Sequence, residues 1–130
     1  MATVKVLVEG YYFRDKEGNE NASATVSLVR DGDIVMVVDP GARKDQKILI
    51  DALKKEKLTV DDVTIVCVTH SHVDHYKNIG MFPNAKILES YGLWNGVVVE
   101  PFDERFSENI QILKTPGHDI SSITIFVKVD

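Results

Sequence analysis

Val4, Val6 and Val8 recur at every second position near the start of the chain. That period predicts a strand with one buried face. The charged stretch 14–21, which holds Gly18, Asn19 and Asn21, predicts an exposed loop. Two β-rich runs, 24–30 and 34–39, flank Asp31-Gly32-Asp33. Asp-Gly between such runs predicts a hairpin, and Pro40-Gly41 ends its second strand. Over 46–57, Ile48, Leu49, Ala52 and Leu53 fall at helical spacing with lysines on the other side, which predicts an amphipathic helix. Residues 59–62 form a short polar connection. Residues 63–68 are almost continuously apolar, as expected of a strand covered on both faces. Further strands are expected at 86–88, 110–114 and 123–129. Residues 91–105, with Gly92, Gly96 and Pro101, read as irregular. There is no repeat and no linker, so the pattern is that of one α/β domain over 1–130 with mixed strand directions.

Length and composition keep this picture. The 130 residues are 44% apolar and 27% charged, enough for one core. A net charge of −5 without a basic run argues against a nucleic-acid partner held by phosphate contacts. It leaves a nucleic-acid partner open, because a metal can also meet a phosphate. The single cysteine, Cys67, lies inside the apolar run and reads as core. It allows no intrachain disulfide. No apolar stretch is long enough to cross a bilayer, and the first ten residues lack the pattern of a secretory signal. A soluble cytoplasmic protein is expected.

The candidate chemistry is concentrated in two places. His70, His72 and His75 fall within Thr69-His70-Ser71-His72-Val73-Asp74-His75, and the fourth histidine, His118, ends Thr115-Pro116-Gly117-His118. On extended backbone, residues two apart point to the same side, so His70 and His72 can converge from the end of a buried strand. Asp74 and His75 fall where the chain turns, into a short helix over 76–79. Imidazole and carboxylate suit zinc, and suit iron or manganese almost as well. The Pro-Gly pair fixes a turn that can aim His118 sideways into the same place.

These two motifs resemble the metallo-β-lactamase superfamily, whose members carry His-x-His-x-Asp-His after a strand and a later His in Thr-Pro-Gly-His. The early strand ending Val37-Val38-Asp39-Pro40-Gly41, and the run Asn78-Ile79-Gly80-Met81-Phe82-Pro83, are similar to that family as well. The likeness spans nearly the whole chain. It implies an αββα sandwich, of which this chain would be the N-terminal half, with a mixed sheet and flanking helices. It implies that His70, His72 and His118 hold a first metal, and Asp74 and His75 a second. Asp39 would orient the ligand loop by accepting hydrogen bonds behind the ligands, and a turn-forming role before Pro40-Gly41 accounts for it equally well. Tyr91, Trp94 and Phe102 fall where the family has variable loops facing substrate, and packing accounts for them equally well.

The family's second half supplies a bridging Asp and a final His. Here no histidine follows His118, Asp119 is adjacent to it, and Asp130 is the only later acidic residue. The chain is therefore expected to be incomplete at its C-terminus, or a natural half-length protein that pairs with another chain, most simply as a homodimer. Two functions stay open. One is a metal-dependent hydrolase that uses one or two zinc ions to activate hydroxide against an ester, thioester, lactone or phosphodiester, with Asp74 moving the proton. The other is a weakly active or non-catalytic metal-binding half-domain that works through association.

Overall fold

The structure, a computed structural model, describes residues 2–129. Asp130, the late acidic residue noted above, lies outside them. The strands are β1 (Ala2–Val8), β2 (Tyr11–Arg14), β3 (Glu20–Ser23), β4 (Val26–Asp31), β5 (Ile34–Val38), β6 (Ile65–Cys67), β7 (Lys86–Glu89), β8 (Gly92–Asn95), β9 (Val98–Glu100), β10 (Ile110–Lys114) and β11 (Ile123–Val127). The helices are α1 (Lys47–Lys55) and the single turn α2 (Val73–Tyr76), which runs into a 3-10 turn at Lys77–Met81. No described helix is long and apolar enough to cross a membrane.

Seven strands form the main sheet in the order β1-β4-β5-β6-β7-β8-β9. Its centre, β5-β6-β7, is parallel, and the outer pairs are antiparallel. One face carries Leu28, Val37 and Val66 and buries them against Leu49 and Leu53 of α1. The other carries Val29, Met36, Ile65, Cys67 and Leu88 and buries them against Ile110, Ile112 and Ile123 of the β10-β11 pair. The order of layers is helix, sheet, sheet, with the parallel strands β5 and β6 sealed on both sides, as their apolar sequence requires.

Three expectations change. Val4, Val6 and Val8 do not share one buried face: Val4 and Val6 are 51% and 52% exposed while Val8 is buried. The register shifts between Val6 and Val8, and that bulge turns Val8 towards the helix side. The stretch 14–21 is not all loop, because β2 and β3 pair around the turn at its centre. Residues 91–105 are not all irregular either. β8 and β9 form a hairpin whose turn holds Gly96 at φ 61°. Asn95-Gly96 is a hairpin signal in the sequence, outweighed there by the nearby Gly and Pro.

Leu53 is fully buried between α1 and the sheet, whereas Ile50 on the same helix is 39% exposed. Leu53→Ala is expected to cost about 2–5 kcal/mol in urea unfolding, from lost burial and the cavity left behind. Ile50→Ala should change stability by less than about 1 kcal/mol.

Candidate metal centre

The site sits at the C-terminal ends of the parallel strands. β5 ends in Val38, and the chain then turns at Asp39 with φ 53°. This left-handed conformation is unfavourable for most side chains and is tolerated best by Asn and Asp among non-glycine residues. The turn carries the Asp39 carboxylate, which is buried, under the loop that leaves β6. Three donors meet it there. The Thr69 amide and hydroxyl donate at 2.8 and 2.7 Å, and His75 Nδ1 lies at 2.8 Å. The backbone supports the same arrangement, with the Asp39 amide donating to the Cys67 carbonyl at 2.8 Å and the Gly41 amide to the His75 carbonyl at 3.0 Å.

These contacts set which ring nitrogens remain free. The Thr69 hydroxyl has one proton and gives it to Asp39, so its oxygen accepts from His70 Nδ1, 3.0 Å away. His70 Nε2 is then left as an unprotonated lone pair. That atom is buried and has no hydrogen-bond partner among the described residues. His75 donates from Nδ1 to Asp39, which likewise leaves its Nε2 free, 3.6 Å from Asp74 Oδ2. His70 is held below the ordinary imidazole pKa, chiefly by burial and then by His75 and His72 beside it, so it stays neutral.

His118 reaches this place from the turn between β10 and β11. The Ile123 amide donates to the Thr69 carbonyl at 2.8 Å, tying the second sheet to the histidine loop. His118 Nε2 comes within 3.3 Å of His72 Nδ1. The ligand nitrogens of His70, His72 and His118 all lie within 4.8 Å of one another. Three convergent imidazoles, one with a buried and unpartnered lone pair, fit a transition-metal ion with a position left for water. Asp74 and His75 stand beside this trio but outside it. Asp74 is fixed through its backbone carbonyl, which accepts from the Ala24 amide at 3.0 Å.

Some candidates stand apart. Cys67 is fully buried in β6, where burial raises its thiol pKa well above the usual value and keeps it a neutral part of the core. Trp94 and Tyr91 gather around Glu89, whose Oε2 accepts from the Tyr91 and Gly92 amides and from Trp94 Nε1. Of two further residues near the trio, Asp119 stood out in the sequence only as the neighbour of His118, and Ser121 did not stand out at all. Asp119 places Oδ2 at 3.2 Å from His72 Nε2, and Ser121 accepts from the Ser71 amide at 2.9 Å. The hydroxyl and amide of Ser121 hold the Asp119 carboxyl below its usual range.

A family model of the metallo-beta-lactamase superfamily matches residues 21–111. The chain is 34% identical, over 96% of its length, to metallo-beta-lactamase domain-containing protein 1 of Xenopus laevis, and spans 57% of that protein. It is 30% identical, again over 96% of its length, to a protein of Methanocaldococcus jannaschii named as a probable metallo-hydrolase, of which it spans 62%. A crystal structure from Thermotoga maritima, provisionally assigned as a metallo-beta-lactamase, superposes with a TM-score of 0.82 at 22% identity, covering 99% of this chain and 73% of that one. A dizinc quorum-quenching lactonase superposes with a TM-score of 0.63 at 17% identity, over 85% of this chain and 54% of that one. With a mixed α/β fold shared with these structures and a family match over most of its length, the chain belongs to the metallo-beta-lactamase superfamily.

Proposed function

We propose that this chain is the metal-holding part of a metal-dependent hydrolase that cleaves an ester, thioester, lactone or phosphodiester. The observation that carries the reading is the buried, unpartnered Nε2 of His70 among the converging nitrogens of His72 and His118. His70, His72 and His118 would hold a first ion, and Asp74 and His75 a second. Zinc is the favoured metal, in keeping with the dizinc lactonase of the same fold, and iron or manganese suit the same donors. When bound, the metal supplies Lewis acidity towards a carbonyl or phosphoryl oxygen and lowers the pKa of its water to roughly 7.

The chain's own residues supply orientation and proton handling. Asp39 keeps His75 turned with Nε2 outward, and through Thr69 does the same for His70. Asp74, partly open to solvent beside His75 Nε2, would accept a proton from the attacking water and return it to the leaving group. His118 is exposed, so substrate meets the trio at the surface. The free, buried Cys67 suits a cytoplasmic location.

A second reading is favoured by one observation. Val4 and Val6 expose apolar surface beside β11, whose one strand partner among the described residues is β10. A cleft of about 420 Å³ opens there, lined by Val4, Val29, Val38, Ile125 and Val127 among others. In this reading another copy of the chain, or the remainder of a longer one, completes the second sheet, and association is the function or its precondition. Because the chain spans less than two thirds of its curated relatives, full activity is assigned to the completed sandwich.

Elemental analysis after dialysis is expected to find about one zinc per chain held firmly and a second held weakly, since Asp74 and His75 offer it only two ligands. His72→Ala should lose most of the first ion and Trp94→Ala should not. Hydrolysis of activated esters and phosphodiesters should be slow. Two tightly held ions with efficient turnover in a monomer would show that other residues complete the site.

Zinc affinity should weaken as pH falls below about 6.5, because only neutral imidazole is a ligand. Metal-free protein should also lose stability on acidification. His70 takes up its proton near 6.5 when unfolded and at lower pH when folded, so the unfolded state binds more protons between those values. Calorimetric titration and thermal melts across that range test both; flat profiles would contradict them.

Sedimentation equilibrium of the chain alone is expected to show a dimer, with Val6→Lys shifting it towards monomer. A wild-type monomer at all concentrations would remove self-association and leave only completion by a longer chain.

A further inference from the structure

The proposed ligands have unequal support. His70 and His75 are both oriented by Asp39, one through the Thr69 hydroxyl and one directly. Asp39 makes no hydrogen bond to His72. A histidine that binds metal through one ring nitrogen is normally fixed by what its other nitrogen donates to. The group facing His72 Nε2 is Asp119 Oδ2, at 3.2 Å.

We propose that Asp119 is the positioning residue of His72: it accepts a hydrogen bond from the protonated Nε2 and so leaves Nδ1 as the lone pair that faces His118 and the metal. This rests on the metal-binding reading above. The arrangement around Asp119 is built to hold that orientation. Its Oδ1 accepts from the Ser121 amide at 2.8 Å and from the Ser121 hydroxyl. The same hydroxyl oxygen accepts from the Ser71 amide, the residue between His70 and His72. The Asp119 carbonyl accepts from the Ser122 amide at 3.1 Å. Asp119 and Ser121 therefore grip the two histidine segments at once, from the loop that carries His118. With His72 Nε2 donating to Asp119, His72 Nδ1 at 3.3 Å from His118 Nε2 is the atom turned towards the trio. The molecule then has two carboxylates behind its histidines, Asp39 for one side and Asp119 for the other.

Two measurements test this. The first is the tautomer of His72 in metal-free protein with 15N-labelled histidine, read by long-range proton–nitrogen NMR above the ordinary imidazole pKa of about 6.5. Wild type should carry the proton on Nε2, and Asp119→Ala should show a mixture. The second is zinc affinity by chelator competition. Asp119→Ala should weaken binding by about 10–100-fold, and the near-isosteric Asp119→Asn, which keeps an oxygen acceptor, should recover part of the loss. Circular dichroism checks that each variant is folded. If His72 carries its proton on Nδ1 in the wild type, the proposal is overturned. It is equally overturned if Asp119→Ala lowers Tm while leaving affinity and tautomer unchanged, since Asp119 would then serve only its turn. If the wild type binds no zinc, the metal-binding reading fails instead, and the tautomer measurement by itself decides whether Asp119 orients His72.

Discussion

The carboxylate of Asp39 is the constraint around which this molecule is arranged. It is buried, it sits on backbone with φ 53°, and its oxygens meet three donors. A carboxylate withdrawn from water costs several kcal/mol unless it is fully hydrogen-bonded. The loop after β6 must therefore bring Thr69 to it, and α2 must bring His75. Once both have arrived, the ring orientations of His70 and His75 follow without further freedom. The unfavourable turn at Asp39 persists because the surroundings determine it from several sides.

The sheet supplies what this carboxylate needs. In a parallel arrangement, the loops that leave the carboxyl ends of neighbouring strands share one edge of the sheet. Asp39 follows β5 and the histidine loop follows β6, so the two lie side by side once Val37-Val66 and Val38-Cys67 are in register. The second sheet adds His118 from a different direction. Its apolar side packs on Met36, Ile65 and Cys67, and this contact places the Pro-Gly turn over the histidine loop. Packing of the core thus fixes the position of three side chains that do not themselves belong to it.

Much of this was legible from sequence because it rests on local pattern. The run 63–68 is apolar enough to be a sealed strand, Asp31-Gly32 closes a hairpin, and His-x-His aims two rings to one side wherever the backbone is extended. What escaped depended on tertiary partners. The exposure of Val4 and Val6 could not follow from alternation, because alternation gives two faces and only the rest of the fold decides which is covered. The pairings of β2 with β3 and β8 with β9 were hidden by short strands with polar or exposed residues, whose partners matter more than their propensity. Asp119 stands out in the sequence only as the neighbour of His118 until the fold brings His72, 47 positions away by residue number, against it.

The last strand has a consequence for the life of the molecule in solution. β11 reads Ile-Thr-Ile-Phe-Val, without charge and without proline, and Phe126 is half exposed. Its outer edge is tied near Thr69 at one end and at the Ala2–Val129 bridge at the other. Between those ties its backbone has no strand beside it among the described residues. Folded proteins usually guard such an edge with a lysine, a proline or a bulge, because an open apolar strand templates the addition of another chain. Here the guard is missing at the place where the apolar side of β1 is also bare. Such an edge offers a row of backbone donors and acceptors, and a further strand, from the same chain or from another, would extend the second sheet by pairing along it.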